Sequence, residues 1–230
     1  MVKNHLKRVP VPTTWNVLRK QHTFITRPRP GAHPYHLAFS LNTLMKEVLR
    51  LAATTKEVKR ILKEQEVLVD GKRRHDERYN VGFMDVITFT KTKQSYRVGF
   101  TGKGKLTAFA IPAKEASKKI GKIVAKRTSK KGRAQLSLND GRVLVVDKDE
   151  YNVGDSLVIT LPKQTVAARL PFAAGAAVIV HQGKYAGQTG TIDVIKDGEV
   201  VITTGKGTLS TKRSYAFVIG DKRPALTCTP

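Results

Sequence analysis

A single cysteine, Cys228, occurs in the 230 residues. A lone thiol excludes an internal disulfide and a cysteine cage around zinc, and it fits a reducing compartment. Long apolar runs are missing too. The longest uncharged stretch of apolar character, 170–180, has 11 residues and is broken by Pro171 and Gly175, against the roughly 18 to 20 that a membrane-spanning helix needs. The opening MVKNHLKRVPVP is positively charged but lacks the apolar segment of a secretion signal, so secretion is not expected. Acidic residues are scarce: 18 Asp+Glu face 42 Lys+Arg, a formal net charge of +24. That surplus points to a polyanionic partner, while 40% hydrophobic content is enough for folded cores.

The charge is unevenly spread. Residues 1–36 hold 7 bases and no acid, and residues 91–135 hold 14 bases and 1 acid. By contrast, 37–90 hold 10 and 8, 136–170 hold 4 and 5, and 171–230 hold 7 and 4. Two segments therefore carry most of the excess, as directed anion contacts would require.

Segment 1–36 has five of the ten prolines and no sustained apolar period, so it reads as an extended arm without a packed core. Lys3, Lys7, Arg8, Arg19, Lys20, Arg27 and Arg29 can neutralise phosphates, while Trp15, His22 and Tyr35 offer flat faces to unpaired bases. The plainer alternative is a solvated tail.

In segment 37–90, Leu41, Leu44, Val48, Leu49 and Ala52 fall at helical spacing. Thr54 with Glu57 then forms a capping-box pattern ahead of an apolar stripe of Val58, Ile61 and Leu62. Lys56, Lys59, Arg60 and Lys63 recur at i, i+3, i+4 and i+7, which places them on one side of that second helix. Alone, such a face could equally be a wet helix surface. VLVDGK reads as a strand closed by an Asp70-Gly71 turn, and YNVGFMDVITF as a turn entering another strand. Two short helices, V-D-G-K and V-G-x-x-D-V-I resemble the small RNA-binding S4-type domain. The resemblance implies RNA contacts by Lys56, Lys59, Arg60, Lys63, Lys72, Arg73 and Arg74.

Segment 91–135 carries GKGK and a lysine-rich run in which Ile120, Ile123 and Val124 suggest an ordered element; Lys103, Lys105, Lys130, Lys131 and Arg133 are its candidate phosphate ligands. Gly99–Lys105 fits the spacing G-x-x-x-x-G-K of a nucleotide-binding loop. Yet Leu106 stands where a magnesium-ligating hydroxyl belongs, and Pro112 where the helix would run. Segment 136–170 reads as short strands with tight turns. Y-N-V-G occurs at both Tyr79 and Tyr151, which we read as recurrent turn chemistry.

From 171 onward, Val178 and Val180, then Ile192 and Val194, alternate with polar residues around an Asp197-Gly198 hairpin, which suggests a small β-barrel. The spacing of Gly183, Gly187 and Gly190 resembles the KOW motif, and this likeness implies nucleic-acid contact by the loop bearing His181, Lys184 and Tyr185. A protein-binding barrel would share the pattern.

The order of modules, from HLKRV and Trp15 through GFMDVI to FVIG at 217–220, resembles ribosomal small-subunit family S4e of archaea and eukaryotes. The expectation is an α+β, multi-domain chain: a basic N-terminal arm (1–40), an S4-type RNA-binding domain (41–104), a central β-rich domain with the basic stretch (105–170) and an SH3-like KOW β-barrel (171–230). The family implies a structural, non-catalytic constituent of the cytoplasmic small subunit, monomeric there and in contact with ribosomal RNA and neighbouring ribosomal proteins. No cofactor, metal, small-molecule substrate or membrane is expected; His33 and His36 lack an acid to complete a metal site. The rival reading is a KOW-type transcription-elongation or RNA-modifying factor.

Overall fold

The computed structural model describes residues 5–64, 66–128, 133–147, 150–205 and 207–228. The chain forms two compact units: Met1–Gly99 with Lys105–Ser117, and Phe100–Gly104 with Lys118–Pro230.

In the first unit, β1 (Leu6–Lys7) pairs antiparallel with β2 (Phe24–Ile25). The connection between them is folded inward: Val11 and Trp15 are buried, as is Ile25 of β2. The Trp15 ring lies 5.4 Å from Tyr35 and 5.8 Å from Phe39. The expectation of an arm without a core is therefore corrected for the described residues. A proline-stiffened chain can still turn single apolar side chains into a core without any regular period.

β3 (Ala38–Ser40) ends at Ser40, whose hydroxyl accepts the Thr43 N–H at 3.1 Å and caps α1 (Leu41–Thr43). α1 runs into a π-helical turn, Leu44–Val48, closed by Leu49 N–H on Leu44 O at 2.9 Å. This wider winding keeps Leu41, Leu44 and Met45 in the core but leaves Val48 and Leu49 half-buried, unlike the regular helix that the spacing predicts. α2 (Thr55–Glu64) begins at the capping box: Glu57 N–H donates to Thr54 Oγ1 at 3.2 Å, and Thr54 Oγ1 donates back to Glu57 Oε1 at 3.0 Å. The Ala53 N–H, with Thr54, holds the Glu57 carboxyl below the ordinary range. Val58 and Leu62 are its buried stripe.

β4 (Val67–Val69) and β5 (Lys72–Arg73) form a hairpin across Asp70-Gly71. β6 (Asn80–Gly82) pairs with β3, and β7 (Val86–Phe89), β8 (Gln94–Phe100) and β9 (Leu106–Ile111) follow, before the short α3 (Ala113–Ala116). The larger sheet has the order β5-β4-β7-β8-β9. The expected boundary at 104/105 thus falls in a turn between neighbouring strands. Since a strand follows Lys105, the strand-loop-helix frame of a nucleotide-binding loop is absent there.

The second unit opens with β10 (Lys118–Thr128), followed by β11 (Ala134–Leu138), β12 (Val143–Val146), β13 (Ser156–Thr160) and β14 (Thr165–Leu170), in the order β12-β11-β10-β13-β14. β10 changes partner along its length: 118–122 pair with β13, and 123–128 with β11. Ile123, Leu136, Leu138, Leu144, Leu157 and Ile159 make the core. The two Y-N-V-G copies fold differently. Gly82 lies in a strand, whereas Gly154 holds φ +103 in a turn, so shared letters do not mark a duplicated unit.

The second sheet has the order β18-β17-β16-β15-β19, from β15 (Ala177–Val180), β16 (Thr189–Lys196), β17 (Glu199–Thr204), β18 (Gly207–Lys212) and β19 (Ala216–Gly220). The predicted alternation needs two corrections. Every residue of β15 is buried, as a strand covered on both faces requires. In β16, an irregular register between Ile192 and Val194 shifts the phase, so Ile192 is buried and Val194 exposed. No helix among the described residues is long and apolar enough to cross a membrane.

Candidate nucleic-acid interface

α2 turns its apolar stripe inward and leaves Lys56, Lys59, Arg60 and Lys63 exposed. Two of these charges are already engaged: Lys59 Nζ is 3.3 Å from Glu77 Oε1, and Arg60 Nε is 2.7 Å from Glu64 Oε1. Lys56 and Lys63 have no acidic partner among the described residues. The β4–β5 hairpin joins the same region, because Arg73 Nη2 donates to Lys63 O at 3.4 Å. Lys72 and Arg73 are exposed, whereas half-buried Arg74 places its guanidinium 4.3 Å from the centroid of the Tyr79 ring. The fold thus brings a helical face and a hairpin into one basic surface, in which Lys56, Lys63 and Lys72 are the least committed cations.

Other basic candidates fold inward. Arg8 is buried: its guanidinium donates to Leu18 O at 2.8 Å and pairs with Glu47. Trp15 is 1% exposed, so its ring cannot stack on a base in this fold. Both are corrections to the expected contact set. A sequence period cannot show that the loop between two short strands closes over its own aromatic ring and guanidinium. Lys105 donates to Thr13 O and serves the packing of that loop. Arg19, half-buried, donates to Val9 O at 2.7 Å and Pro12 O at 3.3 Å. Lys7, Lys20, Arg27 and Arg29 remain exposed, Arg29 at 3.0 Å from Asp76 Oδ2.

The lysine-rich stretch also spends part of its charge internally. Arg97, 0% exposed, pairs with Glu115 at 2.8 Å. Lys119 is buried against Asp140, and buried Lys122 donates to Arg213 O, Ser214 O and Ala216 O at 3.3, 2.9 and 2.7 Å. Burial, with the nearby Arg213 charge, lowers the Lys122 pKa to about 8. Sequence reasoning missed these inward-facing cations. For Lys119 and Lys122 the one available signal was their position on a strand carrying Ile120 and Ile123, where some lysines must share the buried faces.

In the second unit, two loops meet. A Cβ on Gly104 would lie 2.9 Å from Ala186 O, and one on Gly187 would collide with Thr101 O, so glycine at both positions lets the 101–104 turn approach the 183–187 loop. Exposed Lys103 and Lys184 are thereby carried on adjoining loops, with Lys184 Nζ 5.5 Å from the Tyr185 ring centroid. His181 is instead part of a cavity lining, 6.3 Å from Phe217 between ring centroids. Arg133 is exposed and 3.1 Å from Asp147. Lys3, Lys130 and Lys131 lie outside the described residues. His33 Nε2 lies 2.9 Å from Asp85 Oδ1 in the first unit's interior; among the described residues no group of three or more His, Cys, Asp or Glu is placed to hold a metal.

Three family models match successive parts of the chain: the RS4NT (NUC023) domain over 2–36, the S4 domain over 41–87 and Ribosomal family S4e over 92–166. Small ribosomal subunit protein eS4 of Methanocella arvoryzae is 39% identical over 234 residues, covering 98% of each chain. This chain belongs to ribosomal family S4e. The eS4 protein of Methanocaldococcus jannaschii is 34% identical, with 97% of each chain covered. The crystal structure of 30S ribosomal protein S4e from Thermoplasma acidophilum superposes with a TM-score of 0.70 at 31% identity, over 80% of this chain and 96% of that one. In S4e terms, the α2 and β4–β5 surface falls within the S4 domain, and the inward-folded N-terminal segment within the RS4NT domain.

Proposed function

We infer that this chain is a structural constituent of the small ribosomal subunit, working in the cytoplasm without catalysis, and that it binds ribosomal RNA beside neighbouring ribosomal proteins. Membership of family S4e along nearly the whole length carries this reading. The C-terminal sheet and its 181–188 connection serve as a KOW-type nucleic-acid-binding barrel. In the first unit, Lys56, Lys63 and Lys72 are the leading phosphate ligands, joined by Lys59, Arg60, Arg73 and Arg74. Lys7, Lys20, Arg27 and Arg29 extend the contact, and Lys103, Lys184 and Tyr185 make a second one.

Phosphate attraction supplies affinity, and shape supplies selectivity, because the A-form major groove is too deep and narrow for side chains to read. Converting Lys56, Lys63 and Lys72 together to Glu tests the first surface. Binding to small-subunit rRNA should weaken, and the slope of log affinity against log salt should shrink by about one for each phosphate that is no longer neutralised. The circular dichroism should not change. Parental affinity and slope in a folded variant would remove this surface from the interface.

A further inference from the structure

The second unit contains a cavity of about 490 Å³ whose lining includes Ile123, Val124, Val153, Arg213 and Phe217. Val124 and Val153 are 56% and 47% exposed, so its apolar wall is open to solvent. Apolar side chains left open on an otherwise strongly basic chain mark a contact that excludes water.

Two cations line this space and do different work. Lys122 spends its three N–H groups on the carbonyls of Arg213, Ser214 and Ala216, which leaves no donor for a ligand. It fastens the turn that carries Arg213. The Arg213 guanidinium lies 5.0 Å from the Phe172 ring centroid, and its Nη2 donates to Val153 O at 3.2 Å. A ring and a carbonyl thus hold a planar cation in position at the cavity. Asn139 and Ser214 add polar groups, and none of the described lining residues is acidic.

A flat cationic plane, aliphatic walls and a few polar side chains suit a planar, polar-edged group belonging to an anion. We propose that this cavity receives one unstacked nucleobase of the ribosomal RNA, stacked against the Arg213 guanidinium, with its phosphodiester backbone outside. Unpaired bases are recognised in this way, splayed from the strand onto aromatic rings or arginine planes. The cavity volume falls in the range of small-ligand sites, about 300 to 1,000 Å³, which accommodates a base and excludes a duplex. The proposal rests on the RNA-binding reading above and specifies which RNA feature the second unit takes.

The full-length chain with Val153→Trp, which fills the cavity without removing a cation, is titrated with small-subunit rRNA across a salt series. Expelling one stacked base should weaken binding about 5- to 150-fold, while the salt slope stays parental because the same phosphates remain neutralised. Arg213→Lys guards against a misfolded tryptophan variant. It keeps the charge but loses the plane, so it should weaken binding with the same unchanged slope. Parental binding by either folded variant overturns the proposal. Parental RNA binding with failed incorporation into subunits would assign the cavity to a protein side chain, which also overturns it. If the parent chain fails to bind rRNA, the RNA-binding reading falls as well, so the two failures are distinguishable.

Discussion

Lys119 Nζ and Asp140 Oδ2 lie 2.9 Å apart with both side chains 1% exposed, and Arg142 Nε reaches the same oxygen at 3.1 Å. One carboxylate therefore compensates two cations, of which the buried Lys119 contributes nothing to an RNA-facing surface. Asp140→Ala should destabilise the protein by about 3–5 kcal/mol in urea unfolding, because it leaves a buried ammonium unpaired. The double replacement Lys119→Met with Asp140→Leu should recover most of that loss. A single-variant loss below about 1 kcal/mol would mean that water reaches this pair.

Trp15, the only tryptophan, gives a direct spectroscopic test of its burial. Its emission should be blue-shifted and shielded from acrylamide before RNA is added, with little further quenching on binding. Trp15→Ala should cost about 3–5 kcal/mol of stability through the cavity it leaves. Strong quenching by RNA, with stability kept in the alanine variant, would restore it as a stacking residue.

Lys122 should titrate near pH 8 in the folded protein. Burial and the Arg213 charge depress its pKa, so between about pH 8 and its ordinary value of 10.5 the unfolded chain holds a proton that the folded chain has released. Stability from this group therefore rises with pH across that window and is flat below it. Relative to Lys122→Met, the parent should gain up to about 1.4 kcal/mol per pH unit there. Denaturant titrations at several pH values that gave parallel curves for the two proteins would contradict the assignment.

Local chemistry was legible in the sequence. The Thr54–Glu57 capping box, the Asp70-Gly71 hairpin and the strand entered at Val86 all depend on residues a few positions apart, so spacing alone specifies them. The exposed basic side of α2 was legible for the same reason, since Val58 and Leu62 fix which face turns inward. Long-range pairing was not. Arg8 meets Glu47, Arg97 meets Glu115 and Lys119 meets Asp140 only after elements separated in sequence have packed together. A charge count treats those buried cations and the exposed lysines alike. The π-helical turn at 44–48 and the shifted register in β16 also escaped, because each moves residues off the regular period that pattern reading assumes. The approach of the 101–104 and 183–187 loops left only isolated glycines as a trace.

The central claim is most directly tested by quantitative mass spectrometry of small ribosomal subunits from the source cells, purified by sedimentation through moderate salt. A structural constituent should appear at one copy per subunit and persist through the wash. Substoichiometric recovery, with most of the chain free of subunits or released by the wash, would contradict the account and favour a factor acting away from the ribosome.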